Sequence, residues 1–424
     1  MKQRNSLTPS CWDVIIIGSG ASGMIAAICA ARAGCSVLIL EHMNSSGKKI
    51  LATGNGKCNY TNLNQDISFY RGECPDFVLP VLNQFSEQDV IRFFSEMGIF
   101  PKEKNGYLYP YSEQAASVLE AFLIELKEWN VSILYNVAIR DIKKNASDFQ
   151  IETKIENYFS KTCILATGGK AAKKTGSDGS GYIYAKKLGH TMIEPVPALV
   201  QLISTEVFFQ QIAGIRIQAK VILYIQNVQV ASDTGEVQLT DYGISGIPVF
   251  QVSRFASKAF LEKKSSKIKL DFLPQFSLDE VFSLLKKRFL MKGRTALETG
   301  IGLFPAKLYP VLLEKASIKA TLHSNSCKDG VIQKLAFVIK NFEFTVNNTK
   351  SFDSAQVTAG GISTKEIDNQ TLESDRVEGL FFAGEIIDID GACGGYNLQW
   401  AWSSGWLSGN SAAQRALEKG KQND

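Results

Sequence analysis

Residues 13–41 read DVIIIGSGASGMIAAICAARAGCSVLILE. Four consecutive branched apolar residues, Val14, Ile15, Ile16 and Ile17, lead into Gly18, the pattern of a parallel strand covered on both faces. Gly18, Gly20 and Gly23 follow at G-x-G-x-x-G spacing. The first glycine permits a tight turn, the second lets a pyrophosphate reach the backbone, and the third lets the next helix pack close to the strand. The spacing predicts a helix over 21–33, ended by Gly34, and a second strand over 37–40 that delivers Glu41 to its C-terminal edge. A carboxylate there accepts hydrogen bonds from ribose hydroxyls and repels a 2′-phosphate, which favours FAD or NAD over NADP. A glycine-rich turn in an ordinary βαβ unit would leave Glu41 without a role. Gly18, Gly20, Ala21, Ser22, Gly23, Glu41 and His42 are therefore assigned to a dinucleotide.

The chain has 424 residues, enough for two or three domains with large cores. It is 45% hydrophobic and 21% charged with a net charge of +4, so composition gives no reason to expect a nucleic-acid partner. The N-terminus MKQRNSLTPS has no apolar core of a leader, and no run of about 18 uncharged apolar residues occurs, so a cytoplasmic protein is expected. The eight cysteines include no CxxC pair, and the three histidines fit no metal-ligand spacing. No metal is expected.

Residues 47–62, GKKILATGNGKCNYTN, form a loop with three glycines and three lysines, able to lay N–H groups and cations along phosphates or a polar ring edge. Gly47, Lys48, Lys49, Thr53, Gly54, Asn55, Gly56, Lys57, Cys58 and Asn59 are its cofactor candidates; a mobile surface loop is the alternative. Apolar spacing predicts helices over 86–98 and 114–129, with a turn-rich connector, PKEKNGYLYPY, at 101–111. Strand character returns at 131–137; in a FAD-binding fold such a segment commonly passes the adenine, which makes Val137 a backbone-contact candidate. Strands are also expected at 149–153 and 158–166, the latter running into ILATGG and bringing Ala166, Thr167 and Gly168 toward the cofactor. The loop at 170–181, KAAKKTGSDGSG, is either a solvated turn or a substrate contact. A helix is expected over 182–188.

At Pro195 and Pro197 the texture changes. From 199 to 270 short β segments alternate with turn residues, suggesting an inserted antiparallel sheet or small barrel. Helices are expected over 277–290, 308–320 and 329–339. TDYGISGIP at 240–248 is read as a structural turn that could also face a substrate. These features divide the chain into a discontinuous FAD-binding domain, 1–193 plus 346–424, and an inserted cap at 194–345, β-rich to 275 and helical over 276–340. The last segment returns to βαβ texture. AQVTAGGI at 355–362 and GLFFAGE at 379–385 are strand-to-glycine transitions, and DIDGACGGYNL at 388–398 enters a helix over 399–413. A helix N-terminus behind glycines carries free N–H groups and partial positive charge, suited to the N1/C2=O edge of a flavin. Gly384, Glu385, Asp388, Gly391, Gly394, Gly395, Tyr396, Asn397 and Leu398 are assigned there.

With TGNGKCNYTN at 53–62, TAGGIS at 358–363 and GEIIDIDGACGGYNLQWAWSSG at 384–405, the chain resembles a flavoprotein family of 3-dehydro-bile acid reductases and aminoacetone-oxidase-like FAD-binding enzymes. The resemblance spans nearly the whole chain. It implies an α/β fold of the two-dinucleotide-binding flavoprotein class, a Rossmann-type domain interrupted by an inserted β-barrel-like domain with a helical subdomain. It also implies non-covalent FAD and oxidoreductase chemistry. Lys57 stands where many relatives have arginine, which keeps charge but loses bidentate hydrogen bonding.

Hydride transfer belongs to the flavin, so no catalytic triad is expected. With one dinucleotide fingerprint, NAD(P)H is expected to bind transiently as reductant of a small molecule with an unsaturated or carbonyl-conjugated group, steroid-like or bile-acid-like. Oxidation of small amines, electron transfer or redox sensing, and flavin-dependent RNA modification are the alternatives, the last supported only by KKSSKIK at 263–269 and KKR at 286–288. A reductase also needs a proton donor, for which Tyr396, Lys57 and Cys58 are candidates; Cys58 reads better as a small core residue, and Tyr396 reads equally as a stacking or packing residue. Because Glu41 has no function without an adenosine ribose, protein denatured after purification should release FAD. Chromatography yielding FMN alone would remove the Gly18, Gly20, Gly23 and Glu41 assignment.

Overall fold

The computed structural model describes residues 11–423. The N-terminal segment MKQRNSLTPS lies outside the described residues. Two compact units are present, Met1–Pro195 with Val357–Asp424, and Val196–Gln356.

The first unit is built on a sheet whose parallel strands run in the order Ser132–Leu134, Val37–Leu40, Trp12–Ile17 and Asn157–Leu165. The last of these forks. Its first half pairs antiparallel with Phe149–Thr153, which pairs in turn with Ile139–Lys144, and its second half pairs in parallel with Leu380–Phe382. Register places Leu40, Ile17, Leu165 and Phe382 level with one another. Leu134 pairs with Leu40, so five parallel strands end together.

Residues 14–17 are buried on both faces, as the unbroken branched run requires. The helix Ala21–Arg32 buries ten of its twelve residues, because the sheet covers one side and the C-terminal helix, Tyr396–Asn423, the other. That second contact depends on small residues. A Cβ on Gly405 would lie 2.4 Å from the Ser22 carbonyl oxygen, and one on Gly409 2.4 Å from that of Ala26. The helix expected over 399–413 begins earlier and runs to Asn423.

Residues 101–111 are more than a turn-rich connector. Pro101–Lys104 and Tyr107–Pro110 form a β-hairpin, and Thr61–Asn62 adds a third strand. Asn105 and Gly106 both have positive φ (54° and 85°), the Asn-Gly geometry of a two-residue hairpin turn.

The second unit has a seven-stranded antiparallel sheet in the order Phe342–Val346, Ser266–Asp271, Arg216–Ile225, Val228–Thr240, Gly243–Ser245, Leu202–Ile203 and Asn348–Thr349. The first and last strands of that order are separated in sequence by Asn347 alone, so one bent segment pairs at both ends and closes the sheet into a barrel. This pairing also extends the unit to Gln356, where the Gln356 N–H donates to the Leu199 carbonyl. The helix Ile247–Leu261 lies in a stretch that composition marks as β. Val249, Val252 and three phenylalanines suggest strands, but Val249, Val252, Ala256 and Ala259 bury one face at helical spacing. Helices Leu278–Phe289, Leu308–Lys315 and Asp329–Lys340 complete the unit. No helix among the described residues is long and apolar enough to cross a membrane.

Gly409→Ala should destabilise the first unit by about 1–3 kcal/mol, since its methyl group meets backbone that can move only with the helix. The midpoint of urea unfolding measures this; an unchanged midpoint would show that the two helices do not pack as tightly as described.

Candidate functional site

Because the strands end in register, the residues that follow them share one edge. The hydrogen-bond ladder continues past each strand, with the N–H groups of Gly18, Glu41, Ala166 and Ala383 donating to the carbonyls of Leu40, Leu134, Ile17 and Leu165 at 2.9–3.0 Å. In open α/β sheets this C-terminal edge is where ligands bind.

The three fingerprint glycines occupy three different environments. Gly18 has φ +102°, and a Cβ there would lie 2.6 Å from the Ala166 oxygen. At Gly23 it would lie 2.0 Å from the Gly18 oxygen. At Gly20 it would meet no protein atom within 4 Å. Gly20 is also the N-cap of the helix Ala21–Arg32, which has neither a side-chain cap nor an acid in its first turn. Without a protein cap at Ala21, Ser22 and Gly23, this end fits a bound anion. The space beside Gly20 is thus a cradle that the fold leaves unfilled, and it fits the pyrophosphate of FAD.

Glu41 is buried beside that turn. Its Oε2 accepts from the Ser19 N–H and hydroxyl, both at 2.8 Å, and its Oε1 accepts from the Met43 N–H at 2.8 Å. Glu41 therefore has a role in holding the turn even without a ribose, contrary to the expectation from sequence; a carboxylate offers about four acceptor sites, so one remains for a ribose hydroxyl. The exposed His42 places Nδ1 3.6 Å from Oε1. The Val137 N–H donates to the Glu41 carbonyl at 2.9 Å, setting that residue beside the second strand end.

The loop 47–62 is tied to the same turn by the Gly47 N–H, which donates to the Ser19 carbonyl at 3.0 Å. Lys48 is half-buried in the short helix that Gly47 starts, and Lys49 reaches Glu385 at 2.6 Å. Glu385 Oε1 accepts from the Thr358 N–H at 2.7 Å, and the Thr358 hydroxyl accepts from the N–H groups of Lys170 and Ala171 at 2.8 and 3.0 Å. Four glycine-rich segments of distant sequence are joined by this one carboxylate and one hydroxyl. Beyond Ala166, Thr167 and Gly168 turn the chain toward residue 170; Gly168 takes φ +70°.

The segment 384–398 is held from below by the C-terminal helix. The Gly384 N–H donates to the Ser404 hydroxyl at 2.9 Å, and the Trp400 indole donates to the Gly384 carbonyl at 3.1 Å. Asp388 is fully buried and its Oδ2 accepts from the Glu73 N–H at 2.8 Å. The Asn397 amide closes a ring onto the Gly391 N–H and carbonyl, each at 2.8 Å. Asn62 donates to the Gly394 carbonyl at 2.9 Å, and a Cβ on Gly395 would lie 2.7 Å from the Thr61 oxygen, so the loops 47–62 and 384–398 are in direct contact. Leu398 packs against the core.

The three proton-donor candidates do not form one constellation. Gly54, Asn55, Gly56 and Lys57 make an exposed tip, where Lys57 pairs with Glu113 at 3.0 Å and Lys102 pairs with it at 2.9 Å. Hydrogen bonds and charge from Lys102 and Lys57 hold the Glu113 carboxyl down at about 2. Cys58 is wholly enclosed in the core with Tyr60 and Phe94, and burial pushes its thiol up to about 12, against a smaller lowering by Thr53. Cys58 packs as a small apolar residue and does not reach the surface of the loop. Asn59, on its other side, is half-buried between Tyr60 and the exposed tip. Tyr396 stacks on Phe69 at 4.5 Å and meets Tyr70 edge-on; burial pushes its phenol up to about 12. Ser19 and Thr358 do structural work here that the sequence did not announce: Ser19 is a free position of the fingerprint, and Thr358, though it opens the TAGGIS motif, has no role of its own that the sequence assigns.

A family model described as HI0933-like protein Rossmann domain matches residues 12–411. The chain is 45% identical over 403 residues to a 3-dehydro-bile acid delta(4,6)-reductase of Clostridium scindens, covering 94% of this chain and 98% of that protein. It is 31% identical over 409 residues to a ribosomal RNA dihydrouridine synthase of Haemophilus influenzae, covering 95% and 98%. Among solved structures, a 3-ketosteroid-delta4-(5alpha)-dehydrogenase from Rhodococcus jostii superposes with a TM-score of 0.46 at 14% identity, covering 97% of this chain and 98% of that one.

Gly20→Val should fold, since its side chain enters space free of protein atoms, yet lose most of its flavin, because that space is where the pyrophosphate fits. Circular dichroism and the flavin-to-protein absorbance ratio separate the two effects. Full flavin content in the folded variant would refute the placement.

Proposed function

The chain belongs to the HI0933-like Rossmann-domain family, and from that premise we propose that it is an FAD-dependent reductase that hydrogenates a carbon–carbon double bond conjugated to a carbonyl, with NAD(P)H as its transient electron source. The observation that carries the reading is the full-length likeness to a reductase named for unsaturation in a 3-dehydro-bile acid. A steroid-like enone is accordingly the first substrate class.

When bound, FAD would supply the hydride chemistry. This chain's residues do the rest. The uncapped helix end at Ala21 would hold the pyrophosphate and the remaining acceptor site of Glu41 would take a ribose hydroxyl, while the Lys49–Glu385–Thr358 bridge keeps the glycine-rich loops in place. Hydrogenation of an enone adds a hydride at the β carbon and a proton at the α carbon. Of the three candidates, Tyr396 leads as proton donor. It opens the C-terminal helix directly behind Gly394 and Gly395, whereas Lys57 is engaged by Glu113 and Cys58 is sealed in the core.

A second reading, uridine in RNA, is favoured by one specific observation. Residues 196–356 hold 20 Lys and Arg against 13 Asp and Glu, a balance of +7, while the remainder of the chain has 26 against 29, a balance of −3. The uracil ring also presents a carbon–carbon double bond conjugated to a carbonyl, so the chemistry is unchanged. The 31% identical relative is named for that product.

An anaerobic reduction experiment tests the reading. NADH or NADPH should bleach the visible flavin band, and a 3-oxo-Δ4 steroid or a uridine-containing RNA should restore it with ping-pong kinetics. Should neither nucleotide reduce the flavin while dithionite does, the reductase reading fails in favour of electron transfer or oxidation, which peroxide formation with small amines would then separate.

A further inference from the structure

We propose that the second unit docks RNA on one face, built where the end of helix Leu278–Phe289 and the segment after it lie against residues 320–328. The inference rests on the RNA reading above and adds the surface that reading lacks. Backbone bonds fix the juxtaposition. Thr295 and His323 form a β-bridge, the Ser324 N–H donates to the Arg294 carbonyl at 2.9 Å, and the Ala296 N–H donates to that of Leu322 at 2.7 Å. Lys286 pairs with Asp329 at 2.6 Å and ties the end of the first helix to the start of helix Asp329–Lys340.

Of the acids on this face, Asp329 is paired by Lys286, and Glu298 folds back onto the Thr295 N–H and hydroxyl at 2.7 and 2.9 Å, keeping a charge that Arg294 helps to stabilise. Arg288 donates to the carbonyls of Thr299 and Ile301. Lys287, Lys292, Arg294 and Lys328 remain. Among the described residues none of these four has a carboxylate within 4.0 Å; three are exposed and Arg294 is half-buried. Exposed His323, Asn325 and Ser326 stand on the same segment as Lys328 and can donate or accept at phosphate, sugar or base edges. Cations that outnumber the acids beside them, together with small polar groups, suit the spaced charges of a nucleic-acid backbone. An anionic membrane is the competing partner. It is disfavoured because the cations come from loops and helix ends, whereas an interfacial helix carries them along one flank.

The test uses the flavin-loaded full chain carrying Lys287→Glu, Lys292→Glu and Arg294→Glu together, with purified bacterial ribosomal RNA as the probe in filter binding between about 50 and 200 mM salt. The wild type should bind RNA with a steep salt dependence. In the variant the slope of log K against log salt should be shallower by about 2–3, and affinity should fall at least about tenfold. Reduction of a free enone steroid by NAD(P)H should be unchanged, since none of these residues belongs to the flavin frame. Lys328→Glu, on the other segment, should weaken binding in the same direction. Wild-type affinity and slope in the triple variant would overturn the proposal, as would absence of RNA binding by the wild type, or loss of binding to phosphatidylserine vesicles with RNA binding intact. Charge-dependent RNA binding without dihydrouridine formation would support the face and remove the RNA-substrate reading. Dihydrouridine formed equally well by the triple variant would do the reverse.

Discussion

Hydrogen is the only substituent that fits between the first strand and the first helix. A Cβ on Gly23 would lie 2.0 Å from the Gly18 oxygen, and one on Gly18 2.6 Å from that of Ala166. The close approach does more than pack two elements. It aims the end of helix Ala21–Arg32 at the shared edge where five parallel strands stop, and it leaves that end without a side-chain cap. The opposite side of the same helix meets Gly405 and Gly409 of the C-terminal helix at similar range. Helix Ala21–Arg32 is therefore clamped between two glycine-lined surfaces, and the packing of its backbone sets where its amide groups point. That is preorganisation supplied by backbone shape rather than by side-chain charge.

Glycine-rich loops have the opposite problem, because they lose more conformational freedom on ordering than other segments. Here the cost is offset by a few multivalent acceptors. Glu41 takes three hydrogen bonds from Ser19 and Met43, Glu385 takes one from Thr358 and an ion pair from Lys49, and the Thr358 hydroxyl takes two from the chain at 170–171. Bonds to charged acceptors are stronger than neutral ones, so a few suffice to order loops that own little apolar surface. The carboxylates thus anchor protein first; Glu41 keeps one acceptor site for a ligand.

How much could be read from the chain depended on whether the deciding contact was local. The strand, turn and helix around Gly18 were legible because 3.6- and 2-residue periodicities and glycine spacing are local properties, and the structure realises helix Ala21–Arg32 and strand Val37–Leu40 within a residue of the expected bounds. The hairpin at 101–111 was also announced, by Asn105–Gly106, but tyrosine- and proline-rich flanks hid the alternation of its strands. Helix Ile247–Leu261 was obscured for a different reason. Its β-branched and aromatic residues are there to fill a barrel core, and tertiary burial overrode their intrinsic preference. The roles of Ser19 and Thr358, and the enclosure of Cys58, arise from partners far away in sequence and leave no local trace.

Charge shows the same limit most clearly. A whole-chain balance of +4 conceals +7 on one unit and −3 on the other, and at physiological salt a charge is felt over only about 8 Å, so the local balance is what a partner meets. Even a run of lysines in sequence is a poor guide to it. KKSSKIK looks basic, yet Lys264 pairs with Glu262, and Lys267 and Lys269 share Glu343 across neighbouring strands. Lys292, Arg294 and Lys328 belong to no such run, and they come together only because residues 294–296 bond to residues 322–324. The electrostatic surface of this protein is thus decided by which cations the fold leaves without a carboxylate, a property of strand pairing and helix ends that residue counts do not contain.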